Sequence, residues 1–467
     1  MSGDVKPYAL YKDTGLSWLG KIPEHWQVMR GKTLFRSIDI RSSTGEEELL
    51  TVSSAQGVIL RRSANVTMFK AESYVGYKLC WPGDLVINSL WAWAYGLGVS
   101  RYHGIVSSAY GVYRLRPQYS TYVGYIHYLV RSSPFQWELQ VRSKGIWKSR
   151  LQLTDQAFLD IPFPLPPEDE QDAIARFLSH ADQRIRRYIF AKQKLIKLLE
   201  EQKQAIIERA VTHGLDTDAC LKPSGVEWLG DLPQHWEVSR SRRLFSVRTE
   251  LARPDDVQLS ATQAYGVIPQ SEFESNVGRK VVRISMHLEK RRHVEKDDFV
   301  ISMRSFQGGL ERAWASGAIR SSYVVLKPNP GVDVDYFAYV FKSRGYIGAI
   351  QATADFIRDG QDLTFDNFRR VDLPLIPVEE QRAIAKFITE SVQRVDVNRS
   401  KLAREIALVR EYRTRLITDV VTGRLDVRDA AVNLLDEVEE LDDLPLVDDE
   451  MGEDIDDGEL SSDELGE

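Results

Sequence analysis

The chain is one sequence of about 210 residues written twice, and any fold it adopts must accommodate that duplication. Ser17-Trp18-Leu19-Gly20-Lys21-Ile22-Pro23-Glu24-His25-Trp26-Gln27-Val28 returns as Glu227-Trp228-Leu229-Gly230-Asp231-Leu232-Pro233-Gln234-His235-Trp236-Glu237-Val238, displaced by 210 positions. The same offset relates Leu34-Phe35 to Leu244-Phe245, Leu153-Thr154 to Leu363-Thr364, and Phe158 to Phe368. It also relates Pro164-Leu165 to Pro374-Leu375, Glu170-Gln171 to Glu380-Gln381, and Ala173-Ile174-Ala175 to Ala383-Ile384-Ala385. Thr212 and Leu215-Asp216 find Thr422 and Leu425-Asp426. The matches crowd the edges of each half, while residues 40–150 and 250–360 correspond poorly. Similar frames around dissimilar middles point to one scaffold presenting two different surfaces.

Each middle reads as mixed α/β. Asp84-Leu85-Val86-Ile87-Asn88 and Asp298-Phe299-Val300-Ile301-Ser302 have the pattern of short buried strands. Residues 111–117 and 322–328 read as strands ended by proline, and Tyr122 to Leu129 and Asp335 to Lys342 as helices. The repeated tryptophans Trp18, Trp26, Trp228 and Trp236 are expected to be packing anchors, since both halves keep them identically.

A Pro-rich hinge closes each half: Pro162-Phe163-Pro164-Leu165-Pro166-Pro167 in the first, with Pro374 and Pro377 in the second. A heptad follows each. Ile174, Leu178, Ala181, Ile185, Tyr188, Leu195, Leu199 and Ile206 take a and d positions in the first copy, with Lys192 and Gln202 as polar exceptions. Ile384, Ile388, Val395, Leu402, Val409, Tyr412 and Leu416 do so in the second, broken by Ser391, Asn398 and Glu405. Both runs end near a glycine, Gly214 or Gly423. Helices of this length would each span roughly 65 Å at ~1.5 Å per residue. Pairing with each other, antiparallel and pseudo-twofold, is the simplest way to cover their seams.

The net charge of -7 conceals an uneven distribution. Residues 431–467 hold 17 acidic and no basic side chains, so residues 1–430 carry +10. A basic body with an acidic tail admits an anionic partner. The tail's composition favours disorder, and it is expected either to solubilise the chain or to compete with phosphates for the basic faces. Two cysteines in 467 residues, Cys80 and Cys220, exclude a disulfide framework and suit a reducing cytoplasm. No apolar run reaches the ~20 residues of a membrane span, and Met1–Asp13 lacks a signal-peptide core.

Catalytic signatures are missing. Gly31-Lys32-Thr33 ends like a phosphate loop, but Trp26 stands where the first glycine belongs. Gly96-Leu97-Gly98 meets Arg101 where a dinucleotide fingerprint needs its third glycine. The eight histidines show no metal-binding spacing, so no metal site is expected, and Gly-x-Ser-x-Gly is absent. These patterns describe a binder.

The duplicated Trp-Leu-Gly-x-x-Pro-x-His-Trp opening, the Pro-rich segment, Glu-Gln-x-Ala-Ile-Ala and the long helix together resemble the specificity subunits of type I restriction–modification enzymes. The resemblance covers residues 10–430 and implies an α+β architecture: two mixed α/β target-recognition domains separated by two long antiparallel helices. Residues 1–165 would form the first recognition domain, 166–220 a central helix, 221–375 the second domain, 376–430 a distal helix and 431–467 the acidic tail. It implies that each recognition domain reads one half of a bipartite target in double-stranded DNA. The helices would set the spacer and dock two adenine methyltransferase subunits, and restriction/motor subunits would join through the complex. S-adenosylmethionine and ATP would then bind those partners, leaving this chain without a cofactor. Its only Pro-Pro, Pro166-Pro167, lies between Leu165 and Glu168, so it carries no Asn/Asp-Pro-Pro-Tyr/Phe methyltransferase motif. A self-contained modification enzyme and a solitary DNA-binding adaptor are the alternatives.

Base edges are read best by Arg or Lys at guanine and Asn or Gln at adenine, while phosphates take Lys and Arg. The candidates in the first middle are Arg61, Arg62 and Lys70, with Asn88, Ser89, Trp91 and Arg101 on the loop after the buried strand. Lys144, Lys148 and Arg150 form a basic string suited to phosphate. The second middle offers Arg279, Lys280, Arg283, Arg304, Ser305, Gln307 and Arg320.

Overall fold

The Pro-rich segment before each long helix is a strand, not a hinge. Pro162–Leu165 pairs antiparallel with Gln27–Arg30, and Asp372–Leu375 with Glu237–Arg240, again 210 positions apart. Pro162 and Pro164 alternate, so their missing N–H groups face the free edge and Phe163 and Leu165 sustain the ladder. Prolines every second residue suit an edge strand as well as a hinge, and here the strand forms.

The computed structural model describes residues 5–54, 56–63, 73–145, 151–278, 280, 290–302, 305–353, 363–432 and 434. The acidic tail beyond Leu434, and with it the expected disorder and phosphate competition, lies outside the described residues. The chain divides into two units, Met1–Lys192 with Arg404–Glu467, and Gln193–Ala403. Among the described residues, no helix is long and apolar enough to cross a membrane.

Each unit is built on a four-stranded antiparallel sheet. In the first unit its order is Phe35–Ser37, Tyr110–Leu115, Leu85–Asn88, Leu97–Val99. In the second it is Phe245–Val247, Val324–Pro328, Phe299–Ile301, Glu311–Arg312. The central strands are the ones whose continuous apolar runs mark them as buried, and Val86, Val112, Val300 and Val325 are fully enclosed. The expected helices form at Val123–Val130 and Val334–Val340.

The repeated motif residues assemble one frame per unit. Trp26 is wholly buried and donates from Nε1 to Glu170 Oε1 at 2.7 Å, and His25 Nε2 lies 2.7 Å from Glu170 Oε2. Trp236 and His235 meet Glu380 in the same way at 3.0 and 2.8 Å. Gln171 and Gln381 donate to the carbonyls of Pro166 and Ile376, holding the turn from strand to helix. Thr154 and Thr364 cap the short helices that bury Phe158 and Phe368. Trp18 packs edge-on against Phe135, and Trp228 edge-on against Tyr346. The repeated tryptophans are therefore packing anchors.

The central helix, Glu168–His213, and the distal helix, Val378–Val421, each contribute to both units. In the first unit Tyr125 Oη donates to the carbonyls of Pro164 and Val421, so the end of the distal helix enters that unit's core beside Ile174 and Leu178. In the second unit Tyr336 Oη donates to Val211 O, bringing in the end of the central helix beside Ile384 and Ile388. Gly423, at φ +74°, ends the distal helix where a Cβ would meet Pro23 Cδ at 2.3 Å.

The two helices run antiparallel within each unit. Arg413 pairs with Asp182, and Lys192 with Glu405 at 2.9 Å, in the first unit. Lys203 pairs with Asp396 at 3.1 Å and Arg399 with Glu200 at 3.5 Å in the second. The seam departs from one continuous heptad. Ile174, Leu178, Ala181 and Ile185 are buried, but Tyr188, Leu195 and Tyr412 are exposed, and Ile207 and Ile406 lie deeper than the expected Ile206 and Glu405. Mid-helix, Tyr188 Oη bonds Glu405 and its ring lies under the Lys192 ammonium, so polar contacts replace the apolar stripe there.

Replacing Glu170 with Ala strands the buried Trp26 and Tyr8 donors, and each unsatisfied buried group costs about 1–3 kcal/mol. Hydrogen exchange followed unit by unit should show selective loss of protection in the first unit. Glu380→Ala should cost less, because the Glu380 side chain is 29% exposed against 2% for Glu170. Burial opposes ionisation of Asp182, but the Arg413 and Arg186 guanidiniums outweigh it and hold its carboxyl below the usual range. A folded-state value below the unfolded ~3.9 means this stabilisation is present above that pH and lost as the group protonates. Helix content followed at decreasing pH should fall below about pH 4, and Asp182→Asn should flatten that dependence.

Candidate nucleic-acid interface

Where a buried strand ends, its last residues are held rigidly while their side chains turn outward. Asn88 closes Leu85–Asn88 in the first unit, its Oδ1 accepting from Leu90 N at 3.2 Å and its Nδ2 donating to Tyr110 Oη at 3.3 Å. Burial pushes the Tyr110 hydroxyl up, opposed by Thr51, by the Arg61 charge and by Asn88. Ser89 O accepts from Leu153 N, and Lys144 is bridged to Gln152 next to it. One end of the sheet thus gathers Arg61, Asn88, Ser89 and Lys144. Arg62, on the same short turn as Arg61, is exposed with Glu48 at 3.7 Å.

Trp91 is 58% exposed and stacks on Trp93, their ring centroids 6.0 Å apart. The Trp93 indole donates to Leu90 O and its carbonyl accepts from Gln136, which fixes the turn on helix Ser133–Arg142. That helix exposes Trp137 and Val141. Tyr95 closes the turn in the left-handed region at φ +61°, a conformation costing a non-glycine residue roughly 1–2 kcal/mol. This backbone is held in shape at an aromatic, solvent-facing loop.

Arg101 falls elsewhere. Ser100 N donates to Asp84 O, so Arg101 follows the far end of the same strand from Asn88. Its charge acts there on His127 and Tyr128, as does that of Arg186. Arg131 also acts on His127, but its guanidinium donates to Leu97 O and Ser54 O and is pushed down to about 10 by burial and by Arg413 and Arg186. The helix-side group of Arg101, Arg131, Arg186 and Arg413 comes from four separate segments, which is why sequence alone offered only Arg101.

In the second unit the corresponding strand end is polar. Ser305 is buried, and its Oγ accepts from Ser302 N at 2.9 Å. Its hydroxyl therefore braces the helical turn Ser305–Gly308 and faces inward, while Gln307 on that turn is exposed. Arg320 is half-buried and begins the turn into strand Val324–Pro328, whose Val324 pairs with Ile301, at the same end as Ser305 and Gln307. Lys280 is exposed. Lys70, Lys148, Arg150, Arg279, Arg283 and Arg304 lie outside the described residues.

No family model matches the chain. It is 21% identical over 432 residues to the specificity subunit assigned to the type I restriction enzyme MjaX of Methanocaldococcus jannaschii, covering 88% of this chain and 96% of that one. The type I restriction enzyme MjaVIII specificity subunit of the same organism is 26% identical over 125 residues, 27% of each chain. In fold, the chain is similar to one solved in work on complex assembly and conformational transition of the type I restriction–modification system. That likeness has a TM-score of 0.60 at 16% identity, covering 86% of this chain and 98% of the other. The chain is therefore similar in sequence to specificity subunits of type I restriction enzymes, and similar in fold to a chain from a type I restriction–modification system.

Proposed function

We propose that each unit reads one half of a bipartite target in double-stranded DNA, and that the chain is the non-catalytic, sequence-reading part of the complex. The observation that carries this is the contrast at equivalent strand ends: Asn88, Ser89 and Trp91 beside Lys144 in one unit, Ser302 and Gln307 near Arg320 in the other. Frames built from the same residues hold reading ends that differ in chemistry. In this reading Lys144 and Arg62 take phosphates, where charge supplies affinity without sequence information. Asn88 and Gln307 are the amides suited to adenine. Lys70, Lys148, Arg150, Arg279, Arg283 and Arg304 remain candidates for DNA contact in this reading. Ser305 acts only by shaping the turn.

The helices, 46 and 44 residues long, serve in this proposal as the ruler between half-sites and as the platform for two adenine methyltransferase subunits. Those subunits bring S-adenosylmethionine, and the restriction/motor subunits bring ATP. Sequencing of methylated adenines in cells with and without the gene tests the assignment: one bipartite motif should vanish with the gene. Isolated chain that bound S-adenosylmethionine would favour a self-contained enzyme instead.

Three further outcomes follow from this reading. Lys144→Gln should weaken binding alike for target and random DNA, lowering the salt slope by about 0.9 per lost phosphate contact. Trp91→Ala should instead weaken binding to the target more than to random DNA. Matched heptad insertions, one within Lys192–Gln202 and one in the facing stretch of the distal helix, lengthen the ruler by about 10 Å at ~1.5 Å per residue. The methylated half-sites should stay the same with a spacer longer by about three base pairs at ~3.4 Å each. An unchanged spacer at full activity would contradict the ruler.

A further inference from the structure

His293 is 2% exposed, and its two ring nitrogens have different surroundings. Nδ1 lies 2.8 Å from Asp256 Oδ2, which also accepts from Arg253 N and is thereby fixed. Nε2 has no hydrogen-bond partner among the described residues. It lies 3.9 Å from Glu295 Oε1, and one ligand atom from each of Glu250, His293 and Glu295 falls within 4.8 Å of the others. A buried imidazole nitrogen without a partner costs free energy unless something binds it.

The carboxylates are arranged to accept a cation at that point. The buried Arg248 holds Glu250 Oε1 at 3.0 Å and Glu295 Oε2 at 2.9 Å, with Asp298 behind it. Their other oxygens turn towards Arg253, whose Nη2 is 3.0 Å from Glu250 Oε2 and 3.8 Å from Glu295 Oε1. Arg253 is 52% exposed and free to swing into solvent, unlike Arg248. It occupies the cation position without reaching the imidazole.

We propose that Glu250, His293 and Glu295 form a site for a divalent transition ion of the zinc type, and that Arg253 is the cation it displaces. One imidazole nitrogen and two carboxylate oxygens suit such an ion, with solvent completing four-coordination. Asp256 holds the ring by its other nitrogen, the usual outer partner of a metal-bound histidine. The ion would tie the segment 248–256 to strand Arg292–Val294. The sequence hid this because the ligands come from two segments some forty residues apart.

The first unit supplies the control. His293 N donates to Glu250 O, and Leu79 N donates to Ile40 O; Glu295 N donates to Asp298 Oδ2, and Trp81 N to Asp84 Oδ2. The same backbone positions thus carry Ile40, Leu79 and Trp81, which cannot bind a metal. The site belongs to the second unit alone.

The test is calorimetric titration of Zn²⁺ into the full-length, tag-free chain after chelator treatment. One saturable Zn²⁺ per chain is expected, undisplaced by excess Mg²⁺. The double variant Glu250→Gln, Glu295→Gln should lose it, and Asp256→Asn should weaken it about 10-fold or more. Arg253→Ala should bind Zn²⁺ more tightly, because the competing guanidinium is gone; this variant keeps every ligand and stays informative if the double variant misfolds. No saturable binding, binding retained by the double variant, ready displacement by Mg²⁺, or an unchanged affinity in Arg253→Ala would each overturn the proposal.

Discussion

A single carboxylate closes each frame. Glu170 draws Trp26 and His25 to the start of the central helix, and Glu380 does the same with Trp236 and His235 at the start of the distal helix. Each tie joins residues about 145 positions apart, so the whole divergent middle lies inside a loop whose two ends are pinned together. In the first unit the Trp26 indole and the Tyr8 phenol are buried while His25 is exposed, and the one Glu170 carboxylate meets all three. Burial and Glu170 push the Tyr8 hydroxyl up, so it remains a donor. With the ends fixed in this way, residues between them can change without disturbing the frame. The concentration of sequence identity at the edges of each half has this physical cause.

That arrangement decides how much could be read in advance. The repeat exposed the frame, the tryptophan anchors, the buried strands and the long helices, because identity at a fixed offset marks residues with the same partners. What it missed depended on three-dimensional placement. Proline at alternate positions was mistaken for a hinge, since an edge strand tolerates the pattern equally well. The heptad overstated the seam: Tyr188 and Tyr412 satisfy the spacing yet stay exposed, Tyr188 reaching Glu405 with its hydroxyl. At the candidate interface, Asn88, Ser89 and Lys144 do converge, whereas Arg101 lies beyond the opposite end of the strand. Trp93 and Trp137 gave no signal, because a stacked partner and an exposed helical face become visible only once the turn is folded onto its helix.

The two candidate strand ends differ in more than identity. The first presents aromatic surface, Trp91 and Trp93, next to amide and basic groups; the second presents a short helical turn with Gln307 outward and Ser305 inward. Phosphate contacts would be similar in kind for both, and base contacts would not, which is what separate half-site specificities require. The same asymmetry appears away from these strand ends, where Ile40, Leu79 and Trp81 stand against Glu250, His293 and Glu295 on equivalent backbone. A duplicated frame has been free to acquire different side chains at more than one place on equivalent backbone.

The central claim is that one chain holds two independently framed reading units. Its most direct test is to exchange residues 40–150 for the corresponding middle of a related chain and to sequence the methylated adenines in cells carrying the chimera. One half of the methylated target should change, with the other half and the spacer as before. A target altered in both halves, or in neither, would contradict the account.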